Sequence, residues 1–408
     1  MQERGIKFCR SCGENLGEIV LSLGNQPASN RLLNKMTELN DNCFPLEFKI
    51  CSRCSLGQIG EYVTPNSLFE DYTYLSSMSK SWLHHSKDFV DRCISNLDLN
   101  GNDLIVEIAS NDGYLLQYFN EKNYKVLGIE PAENVAEIAI HRGIPTKIAF
   151  FGEEVAKQLI LNGQVPKLVI CNNVLAHVPD INDFVKGLKI LIHAGAIVSI
   201  EAPSMKNMLE LNLFDTIYHE HFSYLSAKSV KFLADANNIS LFKIEYLQTH
   251  GGSYRYWLGG QSFTPDPSVS FYVAQENIFG IDSLKVHSQF AQNSQEAIKL
   301  FRNWVLDQKK KPSGFGAAAK ATVLLNAAGI TNQNFDLVAD NAPSKQGKWI
   351  PGANVPISSP AEVLNNFSGN LIVFPWNIHK EIILEIRENH KNFKGQIWIA
   401  LPKLIRVD

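Results

Sequence analysis

The sequence predicts an α/β protein with a doubly wound parallel sheet at its centre. Short apolar runs of strand length alternate with amphipathic stretches of helix length between residues 103 and 203. The same alternation returns after residue 312, and two closely spaced cysteine pairs precede both regions. We therefore expect three domains: a small N-terminal unit, a central sheet and a second α/β unit at the C-terminus.

Composition and charge are consistent with a folded, multidomain protein. The chain has 408 residues, 45% of them hydrophobic and 19% charged, and domains typically contain roughly 100–200 residues. Its 38 Lys and Arg against 41 Asp and Glu leave no basic field of the kind that attracts nucleic acid. No apolar run approaches the roughly 20 residues of a membrane span, and the first residues lack the apolar core of a signal peptide. We expect a cytoplasmic protein without nucleic-acid or membrane partners.

The N-terminal unit, residues 1–66, is predicted from the two cysteine pairs Cys9-Arg-Ser-Cys12 and Cys51-Ser-Arg-Cys54, which 38 residues separate. Two such pairs can surround one tetrahedral zinc ion, and four cysteine ligands leave no open position. The spacing therefore predicts a structural zinc site. Two reduced surface turns, or a redox-active pair, are the alternatives.

The central domain, residues 67–265, is predicted to begin with a helical lead-in over 72–96. Strands are expected at 103–109, 125–130, 167–173 and 196–203, with helices between them. Residues 204–300 are mixed in pattern, with a helix-like stretch over about 282–308. We place the boundary of the third domain at residue 266.

A nucleotide-type ligand is predicted at the turn after the first strand. Glu107 lies in that strand, Asn111, Asp112 and Gly113 form the turn, and Glu130 ends the next strand 23 residues after Glu107. Such a turn lies at the carboxyl edge of the sheet, where an acid at the end of the second strand accepts hydrogen bonds from ribose hydroxyls. The turn lacks the GxGxxG pattern of dinucleotide sites and carries an acid instead, which suits the cationic sulfonium and ammonium of S-adenosylmethionine.

Other polar groups are expected at the same edge. Asn172 and Asn173 end the third strand, and His177 follows them. Phe150, between Ala149 and Phe151, could sandwich an adenine, although two neighbouring Phe before a helix are as often simple core.

A dense polar segment, Asp215-Thr-Ile-Tyr218-His219-Glu220-His221-Phe-Ser-Tyr224, predicts acid–base chemistry. An imidazole that titrates near neutrality can remove a weakly acidic carbon proton, while Glu and Tyr orient it. A metal site and a hydrogen-bonded structural turn are the alternatives. In an extended segment His219 and His221 would face the same way, so either could be the base.

The third domain, residues 266–408, is predicted to be Rossmann-like from the connector Lys309-Lys310-Lys311-Pro312 onward, and it includes the helix-like stretch before that connector. The glycine-rich stretch GFGAAAK (314–320) opens a helix and can bind an anion through its backbone N–H groups. Strands are expected at 336–343, 370–377 and 396–402.

Seven segments, in order along the whole chain, resemble the sugar C-methyltransferase family. They are CxxC…CxxCxLGQ, VEIASNDGYLL, NNVLAHVPD, DTIYHEHFSYLS, THGGSYR, GFGAAAKATVLLN and DNAPSKQGKWIPG. The resemblance implies a class I methyltransferase core between a zinc-binding domain and a C-terminal domain that helps to bind a nucleotide sugar. It also implies S-adenosylmethionine as cofactor, and as substrate a 4-keto-deoxysugar linked to thymidine or guanosine diphosphate.

The implied reaction adds a methyl group to carbon 3 of the sugar through an enolate, and it needs no metal. By resemblance His221 is the base, Tyr218 and Glu220 orient it or the sugar, and His177 lies near the enolate oxygen. Tyr72 would cover the methyl donor. The residues expected near the diphosphate are His250, Ser253, Arg255, Lys320 and Lys345.

Three other functions are each compatible with part of the sequence. An NAD-dependent oxidoreductase fits two Rossmann-like halves but not the missing GxGxxG. A zinc-stabilised interaction protein with a non-catalytic core fits the cysteines but not the intact polar residues. A related methyltransferase that acts on carbon 5, or on an acceptor that is not a sugar nucleotide, is the alternative that stays open. We expect a monomer, because the lead-in and the third domain can cover the open faces of the core.

Overall fold

The computed structural model describes residues 6–34, 42–64 and 75–408. The N-terminal unit is an antiparallel sheet of four strands in the order β1 (Leu21–Pro27), β2 (Cys43–Ile50), β3 (Gly57–Gln58) and β9 (Ser223–Tyr224). The strand β9 comes from the polar segment 215–224, and Gln58 of β3 lies opposite Ser223. The N-terminal sheet therefore packs directly against this candidate catalytic segment.

The central domain contains a seven-stranded sheet. Its strands, in spatial order, are β10 (Ser240–Leu247), β11 (Ser253–Gly259), β8 (Ile197–Pro203), β7 (Pro166–Asn172), β4 (Leu104–Ile108), β5 (Lys125–Glu130) and β6 (Thr146–Ile148). Strand β11 runs antiparallel to both of its neighbours. The four strands predicted at 103–109, 125–130, 167–173 and 196–203 are β4, β5, β7 and β8, and they run parallel as expected. Strand β11 comes from the segment of mixed pattern, and a hydrophobic pattern does not reveal its direction.

In the part of the chain that the structure describes, seven helices accompany this sheet: α1 (Lys80–Asn96), α2 (Leu116–Asn120), α3 (Glu133–His141), α4 (Glu153–Leu161), α5 (Ile181–His193), α6 (Met205–Glu210) and α7 (Ala227–Ala236). Their starts follow local sequence rules. Asp180 caps α5 by accepting a hydrogen bond from the N–H of Asp183 at 3.0 Å. Ser226 and Ser229 form a capping box at the start of α7.

The C-terminal domain contains a second seven-stranded sheet, in the order β14 (Trp349–Ile350), β15 (Val355–Ser358), β13 (Val338–Ala339), β12 (Ser313–Phe315), β16 (Asn370–Val373), β17 (Gln396–Ile399) and β18 (Ile405–Arg406). Helix α8 (Pro267–Phe279) packs against β10 of the central sheet, and α9 (Leu284–Leu306) follows it. The helices that accompany the second sheet are α10 (Ala319–Ala327), α11 (Pro360–Leu364) and α12 (His379–Asn389). In the sequence, α8 and α9 come after the last strand of the central sheet and before the first strand of the C-terminal sheet. The domain boundaries at residues 66 and 265 stay predictions.

The carboxyl ends of four neighbouring strands create the site. Strands β5, β4, β7 and β8 run parallel in that order, so Glu130, Ala109, Asn172 and Glu201 reach the same edge of the sheet. Among the described helices, none is both long enough and apolar enough to cross a lipid bilayer.

Candidate active site

The cysteines of the N-terminal unit meet in space. The sulfur atoms of Cys9, Cys12, Cys51 and Cys54 all lie within 4.8 Å of one another, and thiolates around one zinc ion stand about 3.8 Å apart if each Zn–S bond is about 2.3 Å. Gln58 donates a hydrogen bond from Nε2 to the sulfur of Cys9 at 3.3 Å. Four thiolates and this outer donor fit a closed structural zinc site.

A cavity of about 1050 Å³ lies where the three domains meet. It is lined by Asn30 of the N-terminal unit, by the carboxyl edge of the central sheet and by Lys320 and Lys345 of the C-terminal domain. Ligand pockets usually measure about 300–1,000 Å³. This cavity is therefore large enough for a methyl donor and an acceptor side by side.

Glu130 is fixed at one end of the cavity. Its carboxylate accepts hydrogen bonds from the N–H of Asn111 at 2.9 Å and from the N–H of Ala132 at 2.9 Å. Burial raises the pKa of Glu130, and the two N–H groups oppose that rise. A carboxylate has about four acceptor positions, so Glu130 retains capacity for two ribose hydroxyls.

Three other residues that the sequence predicted to bind the methyl donor lie outside the cavity wall, in or next to the turn that follows β4. Glu107 and Asp112 are fully buried, and neither they nor Gly113 line the cavity. Asp112 forms an ion pair with Arg142 at 2.9 Å and a hydrogen bond with Ser77. The structure thus differs from the expectation for Asp112, because its charge is neutralised within the protein. Gly113 adopts φ +78°, a conformation that side chains disfavour.

The other residues predicted to contact the methyl donor line the cavity, as far as they fall within the described residues. Phe150, Asn172 and Asn173 all do so, together with Ala149 and Phe151. Phe150 is 48% exposed and presents an aromatic ring in the cavity wall. Tyr72 lies outside the described residues.

His221 is held by two hydrogen bonds that define its tautomer. Its Nδ1 lies 2.9 Å from the carbonyl oxygen of Thr216, and its Nε2 lies 2.7 Å from the Tyr218 hydroxyl. A carbonyl can only accept, so Nδ1 carries the proton and Nε2 has a lone pair. Burial lowers the pKa of His221 well below its ordinary value, and the neighbouring His177 acts in the same direction. His221 is therefore a neutral imidazole with a lone pair on Nε2.

Two further imidazoles lie beside it. The rings of His177 and His221 meet edge to face with centroids 4.7 Å apart. Burial lowers the pKa of His177 and of His250 to about 4, so both are uncharged at neutral pH. His250 lies 5.4 Å from Trp82 between ring centroids and lines the same cavity.

His219 and Glu220 point to different surroundings. Residues 218–221 form a turn in which the N–H of His221 donates to the carbonyl of Tyr218, so the two imidazoles of the segment separate. His219 packs against Phe44 and Tyr62 and does not line the cavity. Glu220 does line it and accepts a hydrogen bond from Asn30 Nδ2 at 2.7 Å. Burial raises the pKa of Glu220 to about 7.

The C-terminal domain contributes cations to the cavity wall. Lys320 lies in the first turn of α10, with its Nζ 5.7 Å from the centre of the Trp376 ring. Trp376 donates from Nε1 to Asp215 at 2.8 Å, which links this domain to the segment that carries His221. Burial raises the pKa of Asp215 to about 6, and Lys320 opposes this rise. Lys345 contacts the carbonyl of Ala317 at 3.0 Å and Asp340 at 3.3 Å.

Two residues predicted near the substrate are internal. Ser253 and Arg255 are fully buried and do not line the cavity. Arg255 pairs with the buried Glu201 and stacks on Phe89 at 4.0 Å. The structure therefore differs from the expectation that Ser253 and Arg255 contact a diphosphate, because the guanidinium is already neutralised inside the core.

Sequence reasoning missed Glu201 and its partner His85. His85 lines the cavity, and its Nε2 lies 2.9 Å from Glu201 Oε2. Burial raises the pKa of Glu201, but the His85 hydrogen bond and the Arg255 charge outweigh it and lower that pKa to about 2. An acid at the end of a buried strand was the signal used for Glu130, and it could have identified Glu201.

Comparison with known proteins identifies the family. The sequence models for a zinc binding domain, a methyltransferase domain and a C-methyltransferase C-terminal domain match residues 9–69, 80–243 and 248–402. The C-methyltransferase NovU of Streptomyces niveus is 31% identical over 409 residues, which cover 98% of this chain and 96% of that protein.

Solved structures resemble part of the chain more weakly. A magnesium protoporphyrin IX methyltransferase from Synechocystis PCC 6803 is 14% identical, with a TM-score of 0.33 over 44% of this chain and 79% of that one. The PH0226 protein of Pyrococcus horikoshii OT3 is 11% identical, with a TM-score of 0.36 over 48% of this chain and 98% of that one. The family assignment depends on the sequence models and on NovU. The chain belongs to the C-methyltransferase family and is an S-adenosylmethionine-dependent C-methyltransferase with a structural zinc site.

Proposed function

We propose that the enzyme methylates carbon 3 of a nucleotide-linked 4-keto-deoxysugar and that His221 removes the proton from that carbon. The observation that carries the proposal is the position of His221. A neutral imidazole with a lone pair on Nε2 lies in the same cavity as Glu130 and the cations of the C-terminal domain.

The 4-keto group makes the neighbouring carbon–hydrogen bond weakly acidic. The carbon 3 proton moves to His221 Nε2, and its electron pair forms an enolate with the negative charge on the oxygen at carbon 4. S-adenosylmethionine supplies the methyl group: carbon 3 bonds to it, the sulfur–methyl bond breaks, and the electron pair stays on sulfur in S-adenosylhomocysteine. The ketone reforms, and His221 releases its proton to solvent.

The hydrogen bonds around His221 support this role. Thr216 holds the Nδ1 proton, so the ring cannot change tautomer without losing that contact. The Tyr218 hydroxyl occupies Nε2 in the absence of sugar. When the substrate binds, the hydroxyl turns its hydrogen to the keto oxygen and leaves Nε2 free.

His177 supports enolate stabilisation. Its ring contacts that of His221, and its low pKa keeps it neutral. A neutral imidazole can still donate an N–H to a developing negative oxygen, and such a donor in a cavity with little water is most effective in the transition state. Glu220, held by Asn30, orients the sugar beside it.

The two ends of the cavity suit the two ligands. One group of lining residues suits the donor's ribose and adenine: Glu130, Asn111, Asn172, Asn173 and Phe150. Elsewhere, the cavity is lined by Gly316, Ala318, Ala319 and Lys320, where the nine-residue helix α10 begins. Exposed backbone N–H groups at a helix start attract a diphosphate, and Lys320, Lys345 and His250 surround the same region.

Transfer of a ¹³C-labelled methyl group tests the proposal. The enzyme is incubated with ¹³C-methyl S-adenosylmethionine and with 4-keto-6-deoxy sugars linked to thymidine or guanosine diphosphate, and NMR locates the label. We expect a new methyl group on carbon 3. Labelling of carbon 5 would move the reaction to the other side of the ketone, and no labelled sugar would mean that the acceptor belongs to another class.

A further inference from the structure

Arg10 lies inside the first zinc-binding cysteine pair, yet its side chain points to the central domain. Its guanidinium donates to the carbonyl of Pro179 at 3.1 Å and to the carbonyl of Ile59 at 2.6 Å. It also lies over the ring of Phe222, 5.5 Å from its centre. One side chain of the zinc unit therefore contacts two segments of the active-site wall.

Both contacts lie close to the imidazoles of the site. Pro179 follows His177 by two residues, in the loop that leads from β7 to α5. Phe222 follows His221 directly. Because the rings of His177 and His221 touch each other, a shift of either segment changes their mutual position.

Arg10 is itself fixed by the zinc unit and by α5. Its backbone N–H donates to Gln58 Oε1 at 3.0 Å, and Gln58 also donates to the sulfur of Cys9. Asn182, at the start of α5, donates to the carbonyls of Arg10 at 2.9 Å and of Ser11 at 3.0 Å. The side chains of Gln58 and Arg10 thus connect the predicted zinc ligand Cys9 to the two segments that carry His177 and His221.

Arg10 is half-buried, its Nε is shielded from solvent, and both of its Nη atoms donate to main-chain carbonyls. These directional contacts hold the guanidinium in one place. The planar fork of Arg can reach two carbonyls at once, which the single ammonium of Lys cannot do with the same geometry.

We propose that Arg10 is a positioning residue, which transmits the rigidity of the zinc site to His177 and His221 and sets the distance between them. This inference rests on the proposed function only in assigning catalysis to these two imidazoles. The zinc site then contributes to catalysis without any contact between the metal and the substrate.

The test compares two arginines of the zinc unit. Arg10→Met removes the donors and keeps a side chain of similar length. Arg53→Met is the matched control: Arg53 lies in the second cysteine pair, is exposed and sits over the ring of Phe232. For each variant we would measure bound zinc, donor affinity, kcat, the KM for the sugar and the ¹⁵N resonances of the histidine side chains.

For Arg10→Met we expect one zinc per chain and a donor affinity within about threefold of the parent. A small displacement of reacting groups can cost up to about a hundredfold in rate, so kcat should fall at least about tenfold while KM changes little. The resonances of His177 and His221 should shift. Arg53→Met should match the parent in every measurement.

Parental kcat and unshifted resonances in Arg10→Met would overturn the proposal, as would an equal loss in Arg53→Met. If Arg10→Met does not fold with zinc, Arg10→Lys replaces it, and parental kcat and resonances in that variant are equally contradictory. The spectra need no sugar. They still test Arg10 if the parent methylates none of the sugars, an outcome that would defeat only the proposed function.

Discussion

The Tyr218 hydroxyl donates a hydrogen bond to Nε2 of His221 at 2.7 Å, because the Nδ1 proton of the same ring is held by the Thr216 carbonyl. This pair defines which nitrogen can accept a proton, while burial keeps the imidazole neutral. The proposed mechanism depends on this relationship more than on any other contact in the cavity.

Removal of the imidazole should stop proton abstraction without affecting the donor. For His221→Ala we expect kcat to fall by roughly two to four orders of magnitude, as for loss of a general base, while calorimetry shows unchanged S-adenosylhomocysteine binding. Tyr218→Phe should lose less, because Nε2 remains. Equal losses in both variants would assign the proton transfer to the Tyr218 hydroxyl.

His219 provides the matched control for His221. It does not line the cavity and packs against Phe44 and Tyr62. We expect kcat of the His219→Gln variant to stay within about threefold of the parent, whereas loss of a general base costs at least about a hundredfold. An inactive, folded His219→Gln enzyme alongside an active His221→Ala enzyme would reverse the assignment.

Glu130 should determine donor affinity. Glu130→Gln removes the negative charge that both backbone N–H groups orient, so the dissociation constant for S-adenosylmethionine should rise at least about tenfold while the KM for the sugar stays the same. Glu133→Gln, at an exposed position three residues later, is the control. An unchanged dissociation constant would remove the ribose contact from Glu130.

Glu220 should make stability depend on pH. Its pKa is raised from 4.5 to about 7 in the folded protein, so between these values the folded chain holds the proton more tightly than the unfolded chain does. Its contribution to the free energy of unfolding is therefore largest at low pH and falls as pH rises through this range, by about 1.4 kcal/mol for each unit of pKa difference.

Urea unfolding at pH 5 and pH 8 measures this effect. The parent should lose more stability between the two values than Glu220→Gln does, and the exposed Glu210→Gln should behave as the parent. An identical loss in the parent and in Glu220→Gln would show that the carboxyl titrates at its ordinary pKa.

Zinc removal should lower stability. For Cys9→Ser we expect loss of bound zinc and a lower unfolding midpoint, because the free energy of metal binding contributes to folding. Cys43→Ser, outside the cluster, should keep both. A zinc-free Cys9→Ser protein with the parental midpoint would contradict a structural role.

Periodicity predicted the strands of the central sheet well, because an apolar run that is buried on both faces leaves a clear pattern. The strand expected at 125–130 is β5, Lys125–Glu130, and the strand expected at 196–203 is β8, Ile197–Pro203. The direction of β11 and the pairing of β9 with the N-terminal sheet were not predictable, since both depend on contacts between distant segments.

The sequence predicted the candidate site only where a chemically reactive side chain also lies in a recognisable motif. The cysteines met as expected, and His177, Tyr218, Glu220 and His221 line one cavity. Arg255 and Asp112 were predicted to bind ligands because they are charged, but Glu201 and Arg142 neutralise their charges within the protein. Only three-dimensional structure separates these two cases.

Hydrogen exchange at the sugar tests the central claim most directly. The enzyme is incubated in D₂O with S-adenosylhomocysteine and a thymidine-diphosphate 4-keto-6-deoxy sugar, and NMR follows the hydrogen on carbon 3. We expect deuterium to enter at carbon 3 with the parent enzyme and to enter at least about a hundredfold more slowly with His221→Ala. Exchange at the parental rate in His221→Ala, or no exchange by a parent enzyme that binds both ligands, would contradict the account.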